Sequence, residues 1–285
     1  MERLQEALSR ARERRAKAVA EGLPAAAADS AAPKKPVLRG GARNEEAIRE
    51  AWAALPTLRI NESHFAANRI VSYFGGKDAS PMDMLRTKLV QQAKANGWRR
   101  IAITSPSPRC GKTTVSANLA FSLARQADLR TLLVETDLRR PALARTLGIA
   151  EPYSLARVLS GQENISDHMV RFGTNVAFAT NHVSTSNPAE LLHSARARAI
   201  LAEIEATYAP DLILFDTAPL LSSDDTLGLM ESVDAALLVA AAEVSTIEEI
   251  DVAERELAEV TQVIGVVLNK SRYASAGYGY DEAYY

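Results

Sequence analysis

The chain has 285 residues, of which 47% are hydrophobic and 24% charged, with 33 Lys and Arg against 35 Asp and Glu. The formal charge of −2 argues against general nucleic-acid affinity, which normally requires a basic excess, and no apolar run approaches the roughly 20 residues of a membrane-spanning helix. A single cysteine, Cys110, excludes an internal disulfide framework and a cysteine-cluster metal site, so the composition indicates a cytosolic protein.

The N-terminal region is predicted to be an extension outside the main domain. Residues 1–20 are predicted to form a basic helix, with six basic and three acidic side chains, which is either solvated or docked on a partner or an anionic membrane. Residues 22–42 contain three prolines, three glycines and seven alanines, a linker composition. We therefore assign residues 21–71 to a linker and an irregular or helical extension, with a helical stretch at about 43–54.

Alternating strands and helices are predicted in the rest of the chain. Ser80 is the predicted N-cap of a helix that carries Pro81 in its first turn. Amphipathic helical spacing marks residues 112–127, 188–207 and 246–260. Between the helices lie six short apolar runs of the kind expected for strands covered on both faces, namely RRIAIT, LRTLLVET, NVAFAT, DLILFDT, AALLVAA and QVIGVVLN. This alternation predicts an α/β fold with a mostly parallel sheet flanked by helices.

A candidate phosphate loop, SPSPRCGKTT, follows the first of these strands and precedes a helix. Backbone N–H groups at such a junction can bind a polyphosphate, while Lys112 would neutralise its charge and the Thr113 hydroxyl would coordinate Mg²⁺. The first glycine of the general pattern falls at Pro106, so the alternative is an ordinary turn with an exposed lysine. The predicted nucleotide-binding residues of the loop are Pro108, Arg109, Cys110, Gly111, Lys112, Thr113 and Thr114.

Acidic residues end two later strands. Glu135 and Asp137 close LLVETD, and Asp216 closes LILFD. Because the carboxyl ends of parallel strands share one edge of a sheet, these carboxylates are expected beside the phosphate loop. There they could hold Mg²⁺ through its waters or accept a proton from an attacking hydroxyl. Taken singly, Asp137 could instead cap a helix and Asp216 could begin a turn.

Five of the eight tyrosines lie in the last 13 residues, among Gly, Ala and Ser, and they are Tyr273, Tyr278, Tyr280, Tyr284 and Tyr285. A segment with so few aliphatic side chains is expected to be flexible. Beside an ATP site it is interpreted as a phosphate-acceptor tail, since each phosphate adds about −1.5 to −2 charges. The alternative is an aromatic tail or docking strand without a chemical role.

The combination of motifs over roughly residues 72–285 resembles the bacterial tyrosine kinases, cytoplasmic autokinases of exopolysaccharide and capsule export. SPSPRCGKTT is similar to the Walker A motif of that family, LLVETDLRRP to its Walker A′ motif and LILFDTAP to its Walker B motif. SNPAELLHS resembles a family loop, GVVLN contains the asparagine of the adenine side, Asn269, and the tail matches its tyrosine cluster. The family fold is a P-loop α/β domain related to partitioning ATPases.

The resemblance implies specific roles. Lys112, Asp137 and Asp216 would be catalytic, Thr113, Asp137 and Asp216 would bind Mg²⁺ with Glu135 as a further ligand, and Asn269 would contact adenine. Residues 72–270 would form the kinase domain and residues 271–285 the acceptor tail, with ATP and Mg²⁺ as cofactors. The implied partners are a transmembrane polysaccharide chain-length regulator or co-polymerase that activates the kinase at the inner membrane, a further copy of the chain, and a tyrosine phosphatase.

Three positions depart from the family pattern. Arg109 stands where members generally have glycine, and Glu135 replaces the first aspartate of Asp-x-Asp. The oligomerisation pattern Glu-x2-Arg-x2-Arg aligns with Ser80, Asp83 and Arg86, so Asp83 is expected to repel a facing acidic side chain. Cys110, beside the start of a helix, is either a redox-sensitive thiol or a packed loop residue.

Three functions fit these observations. The leading hypothesis is an ATP-dependent protein-tyrosine autokinase that phosphorylates its own tail and regulates polysaccharide synthesis and export. The first alternative is a partitioning-type ATPase, which would use water as the acceptor and leave the tyrosine tail unexplained. The second is an inactive, nucleotide-binding regulatory partner, which the changes at Arg109 and Glu135 would favour.

Overall fold

A seven-stranded sheet forms the centre of the protein in a computed structural model that describes residues 45–271. The strand order is β3-β4-β2-β5-β1-β6-β7, and every neighbouring pair is parallel except the antiparallel pair β3 and β4. The strands are β1 (Arg100–Thr104), β2 (Thr131–Glu135), β3 (Met169–Phe172), β4 (Val176–Ala179), β5 (Leu212–Asp216), β6 (Ala235–Ala241) and β7 (Gln262–Asn269). The predicted mostly parallel α/β fold is confirmed.

All six predicted apolar runs are strands, whereas β3 was not predicted. It is only four residues long and pairs with β4 through a tight turn in which Gly173 has a φ of 62°. A left-handed φ at this turn suits glycine, which lacks a Cβ. The pairing gives the sheet an antiparallel edge that no periodic pattern in the sequence indicates.

Eleven α-helices surround the sheet in the described part of the chain. They are α1 (Glu45–Ala54), α2 (Glu62–Ala67), α3 (Val71–Phe74), α4 (Ser80–Asn96), α5 (Lys112–Ala124), α6 (Leu143–Leu147), α7 (Leu155–Leu159), α8 (Pro188–His193), α9 (Ala195–Tyr208), α10 (Asp225–Met230) and α11 (Ile247–Val260). The predicted helix at 188–207 is divided at Ser194, whose hydroxyl accepts a hydrogen bond from Ala197 N and so caps α9. None of these helices is long and apolar enough to span a bilayer.

The two faces of the sheet are covered by separate apolar clusters. In β2, Leu133 belongs to one cluster while Leu132 and Val134 belong to the other, because successive side chains of a strand point to opposite faces. Phe121 and Phe178 lie in the first cluster, and both are almost fully buried. Each such side chain stabilises the fold by about 1.5–3 kcal/mol.

Residues 45–71 pack on the sheet. Trp52 is buried and donates a hydrogen bond from Nε1 to the carbonyl of Tyr208 at 2.8 Å. Phe65 is fully buried and meets Phe121 with their ring centroids 5.2 Å apart. The segment that the sequence analysis placed in an extension thus supplies core side chains. The predicted basic helix, residues 21–44 of the linker and the tyrosine tail lie outside the described residues.

The start of α4 differs from its prediction. Residues Lys77–Ala79 form a 3₁₀ turn that runs directly into the helix, and Ser80 already has helical angles, with φ of −52° and ψ of −43°. An N-cap residue has extended angles, and no side-chain capping bond is present here. Ser80 is therefore the first helical residue, and the prediction that it is the N-cap was wrong. Pro81 does lie in the first turn.

Candidate active site

The candidate phosphate loop, residues 105–111, connects β1 to the N-terminus of α5. Arg109 has a φ of 66° and Gly111 a φ of 89°, so two left-handed residues flank Cys110. Such alternation turns successive backbone N–H groups toward one side and forms an anion-binding concavity. The φ of Gly111 favours glycine, and a Cβ there would lie 2.3 Å from Asn269 Nδ2 and would displace that amide.

The structure brings the three predicted catalytic side chains together. Lys112 Nζ lies 2.9 Å from Asp137 Oδ2, and Asp137 Oδ1 accepts a hydrogen bond from Arg140 N at 3.0 Å. Asp216 is fully buried at the end of β5, which runs between β1 and β2 and is in register with Glu135. The carboxyl edge of the sheet thus places one cation among three carboxylates.

Burial and charge act against each other on these groups. Burial lowers the pKa of the Lys112 ammonium, but the carboxylates of Asp216 and Asp137 outweigh it and the net shift is upward. Burial raises the pKa of Asp216 to about 6, although the charge of Lys112 lowers it. Lys112 therefore stays charged at neutral pH and compensates the buried carboxylates.

One oxygen of Asp216 fits a cation site. Its Oδ1 accepts a hydrogen bond from Ser116 Oγ at 3.3 Å, whereas Oδ2 is buried and has no hydrogen-bond partner among the described residues. No cluster of three or more His, Cys, Asp or Glu suited to a metal occurs within residues 45–271. A site with Asp216 and Thr113 as its protein oxygens suits Mg²⁺, which keeps several waters and takes phosphate oxygens as further ligands.

Glu135 has a structural position in this arrangement. Its Oε1 accepts hydrogen bonds from Ala142 N and Leu143 N at 2.5 and 2.6 Å, and its Oε2 accepts one from Asn181 N at 2.8 Å. Burial raises the pKa of Glu135 to about 7, although these three N–H groups act in the opposite direction. Both carboxylate oxygens thus accept hydrogen bonds from backbone N–H groups of neighbouring segments. Its proposed role as a metal ligand stays a prediction without support from these contacts.

The remaining predicted nucleotide-binding residues lie in or against the loop. Asn269 Nδ2 donates to the carbonyl of Cys110 at 2.9 Å. The Cys110 thiol is 1% exposed and lies 3.2 Å from Ser107 O, which agrees with the packed alternative. Pro108 and Arg109 are exposed, and Thr114 lies in the first turn of α5. Adenine contact by Asn269 stays a prediction.

Sequence reasoning missed an ion pair that holds the loop after β2. Arg139 binds Asp225 through two parallel bonds, from Nε to Oδ2 at 2.9 Å and from a terminal nitrogen to Oδ1 at 3.0 Å. The Asp225 side chain is 1% exposed, and the pair with Arg139 lowers its pKa. Arg139 follows Asp137 by two residues, so this pair fixes the loop that carries Asp137. Only its place in LLVETDLRRP marked Arg139, and no pattern marked Asp225.

The helix α4 uses its charged residues internally. Asp83 pairs with Arg125 and accepts a hydrogen bond from Ser122 Oγ at 2.5 Å, and Arg86 donates to Ser122 O at 3.1 Å. Both Asp83 and Arg86 thus join α4 to α5. The positive charge of Arg125 offsets the negative charge of Asp83. This pairing weakens the expected repulsion between Asp83 and a facing acidic side chain.

Comparison with known proteins places this geometry in context. A family model described as the CobQ/CobB/MinD/ParA nucleotide binding domain matches residues 101–282. Tyrosine-protein kinase Wzc of Salmonella typhimurium is 32% identical over 206 residues, which are 70% of this chain and 28% of that protein. The chain spans about a quarter of the length of the curated relatives it matches.

Two solved structures align with much of this chain. The kinase domain of Escherichia coli tyrosine kinase ETK aligns with a TM-score of 0.63 and 28% identity, over 72% of this chain and 80% of that chain. The septum site-determining protein MinD from Pyrococcus horikoshii, solved in complex with Mg-ADP, aligns with a TM-score of 0.51 and 25% identity, over 62% of this chain and 72% of that chain. The likeness to the kinase domain is the greater of the two.

Proposed function

The chain belongs to the CobQ/CobB/MinD/ParA nucleotide-binding domain family, in which it is a homologue of the bacterial tyrosine kinases, and we propose that it is an ATP-dependent protein-tyrosine autokinase. The observation that carries this proposal is the convergence of Lys112, Asp137 and the unpartnered Asp216 Oδ2 beside the phosphate loop. ATP and Mg²⁺ are the proposed cofactors. The Mg-ADP complex of the similar MinD supports them.

The side chains of this chain have separable tasks in the proposed reaction. Bound Mg-ATP would supply the phosphoryl group and neutralise much of its charge. Lys112 binds the phosphates from the helix N-terminus, and Thr113 and Asp216 offer oxygen ligands to the cation. Asp137, which contacts Lys112 and Arg140 N, would accept the proton of the acceptor hydroxyl. This proton acceptor matters because a tyrosine phenol, with a pKa near 10, is a poor nucleophile at neutral pH.

The proposed acceptors are the five tyrosines of the C-terminal segment. The last described residue, Ser271, follows Lys270, whose ammonium donates to the carbonyl of Arg109 in the phosphate loop at 2.6 Å. The chain thus leaves the described domain directly beside the candidate site. Tyr285 is 14 residues further on, a reach of up to about 50 Å when extended, so the tail can serve this site or that of a neighbouring copy.

We also propose the partners and location that the family resemblance implies. The activator would be a transmembrane polysaccharide chain-length regulator or co-polymerase, which would hold the kinase at the cytoplasmic side of the inner membrane and raise the local concentration of tails. A tyrosine phosphatase would remove the phosphates from the tail tyrosines. The biological role would be control of exopolysaccharide or capsule synthesis and export.

Phosphotyrosine formation by the purified full-length chain with labelled Mg-ATP tests the proposal. We expect label on the tail, located by mass spectrometry, with a rate per molecule that rises with protein concentration and with the cytoplasmic segment of the co-polymerase. Phosphate released to water without phosphotyrosine would support the partitioning-type ATPase instead. Nucleotide binding without either product, with and without the activating segment, would support the inactive regulatory partner.

A further inference from the structure

Two carbonyl groups of the phosphate loop are bonded by consecutive residues at the end of β7. Asn269 Nδ2 donates to Cys110 O at 2.9 Å, and Lys270 Nζ donates to Arg109 O at 2.6 Å. Lys270 itself has a left-handed φ of 59°, and Arg109 one of 66°. A non-glycine residue holds such a conformation only where surrounding contacts fix it. These two bonds therefore fix the end of β7 and the loop against each other.

The direction of these carbonyls determines the direction of the neighbouring amides. In a planar trans peptide the C=O and the following N–H point to opposite sides. Holding the carbonyls of Arg109 and Cys110 toward β7 therefore turns the N–H groups of Cys110 and Gly111 away from it. Within residues 45–271 neither N–H has a hydrogen-bond partner. Both are thus available to an anion bound in the loop.

The packing of Asn269 points to the same role. A Cβ on Gly111 would come within 2.3 Å of Asn269 Nδ2, so the amide lies directly against the loop backbone. One of its two N–H donors is used by the Cys110 carbonyl. Lys270 is exposed, and its stem reaches across the same glycine, with Cε 3.8 Å from the position of that Cβ.

We propose that Asn269 and Lys270 are positioning residues that set the affinity of the loop for the polyphosphate of its ligand, independently of the base. They act through the orientation of the Cys110 and Gly111 amides. The inference rests on the proposed nucleotide site, and it assigns Asn269 a task beyond adenine contact and gives Lys270 a task that its sequence position does not indicate.

Calorimetric binding of ATP and of inorganic tripolyphosphate, each with Mg²⁺, to the full chain separates phosphate effects from base effects. For Lys270→Met and Asn269→Ala we expect affinity to fall about tenfold for both ligands alike, the size expected for one lost hydrogen bond of this kind. Lys270→Arg, which keeps a donor, should recover most of the loss. Lys94→Met, a change of an exposed lysine near the end of α4, is the matched control and should leave both affinities unchanged.

The pattern of losses decides the outcome. A loss for ATP with unchanged tripolyphosphate affinity would assign Asn269 to the base and overturn the inference, as would unchanged affinities in the Lys270→Met protein. An unchanged melting temperature of the ligand-free variants would show that the loss is one of positioning and not of folding. The two proposals can also fail separately. If both variants lose affinity for ATP and tripolyphosphate alike, while the wild-type protein binds tripolyphosphate but forms no phosphotyrosine, the inference is supported and the proposed kinase activity is refuted.

Discussion

Replacement of Lys112 by methionine tests the charge arrangement at the centre of the candidate site. The Lys112 and Asp137 side chains are 13% and 7% exposed, and Asp216 is fully buried. Methionine keeps most of the volume of lysine and removes its charge. The change therefore leaves two buried carboxylates without their shared counter-charge, and we expect both phosphotransfer and stability to fall.

The loss of stability should depend on pH. Breaking a buried ion pair costs about 3–5 kcal/mol, and the lower end applies because Arg140 N still binds Asp137. The folded-state pKa of Asp216, about 6, is above its ordinary 3.8. Proton binding thus favours the folded state, and more so without Lys112. We expect a loss of about 3 kcal/mol at about pH 8 and about 1 kcal/mol at about pH 5.5, where Asp216 is protonated.

Urea denaturation of the ligand-free protein at the two pH values measures this difference. Lys94→Met is the control, since Lys94 is exposed and lies on α4 away from the phosphate loop. Label incorporation from Mg-ATP is measured on the same preparations. An equal loss of stability at both pH values would refute the electrostatic reasoning. Phosphotransfer at the wild-type rate would refute the assignment of Lys112 to the phosphates.

Three further changes test other parts of the proposal. Deletion of residues 273–285 should remove most phosphotyrosine and spare nucleotide binding, and mass spectrometry that finds phosphate chiefly elsewhere in the wild-type chain would contradict this. Gly111→Ala should lower nucleotide affinity at least tenfold by calorimetry, because a φ of 89° is strained for alanine and its Cβ would displace the Asn269 amide from the loop. Arg139→Ala should lower the midpoint of urea denaturation, since it removes the charged partner of the buried Asp225 carboxylate, which keeps its hydrogen bond from Ser223 Oγ, and Arg139→Ala combined with Asp225→Ala should recover part of that loss.

The elements that sequence reasoning identified correctly are those with strong local signals. β5 and β6 are continuous apolar runs, and α11 has a capping box between Thr246 and Glu249 that its sequence displays. The phosphate loop was recognised because the residues that bind the phosphates are consecutive in the sequence. Asp137 and Asp216 followed from one topological rule, that parallel strands end at a common edge.

The features that were missed depend on contacts between distant residues. Glu135 accepts from Asn181, 46 residues away, and Arg139 binds Asp225, 86 residues away. No spacing along the chain reports such pairs, which exist only once the strands have been ordered. The prediction that Ser80 is an N-cap failed for a different reason. The residues before it already form a helical turn, and local propensity does not reveal where that turn begins.

The bond from Trp52 to the carbonyl of Tyr208 has a consequence for how the chain folds. The two residues are 156 positions apart, so α1 cannot reach its final place until α9 has been synthesised. At about 5–20 residues per second this takes roughly 10–30 seconds on the ribosome. During that interval the indole N–H lacks the α9 carbonyl that it binds in the folded protein, and such late, non-local closure slows folding. The Trp52 indole, which is buried in the folded protein, therefore lacks this contact until the chain has been made as far as residue 208.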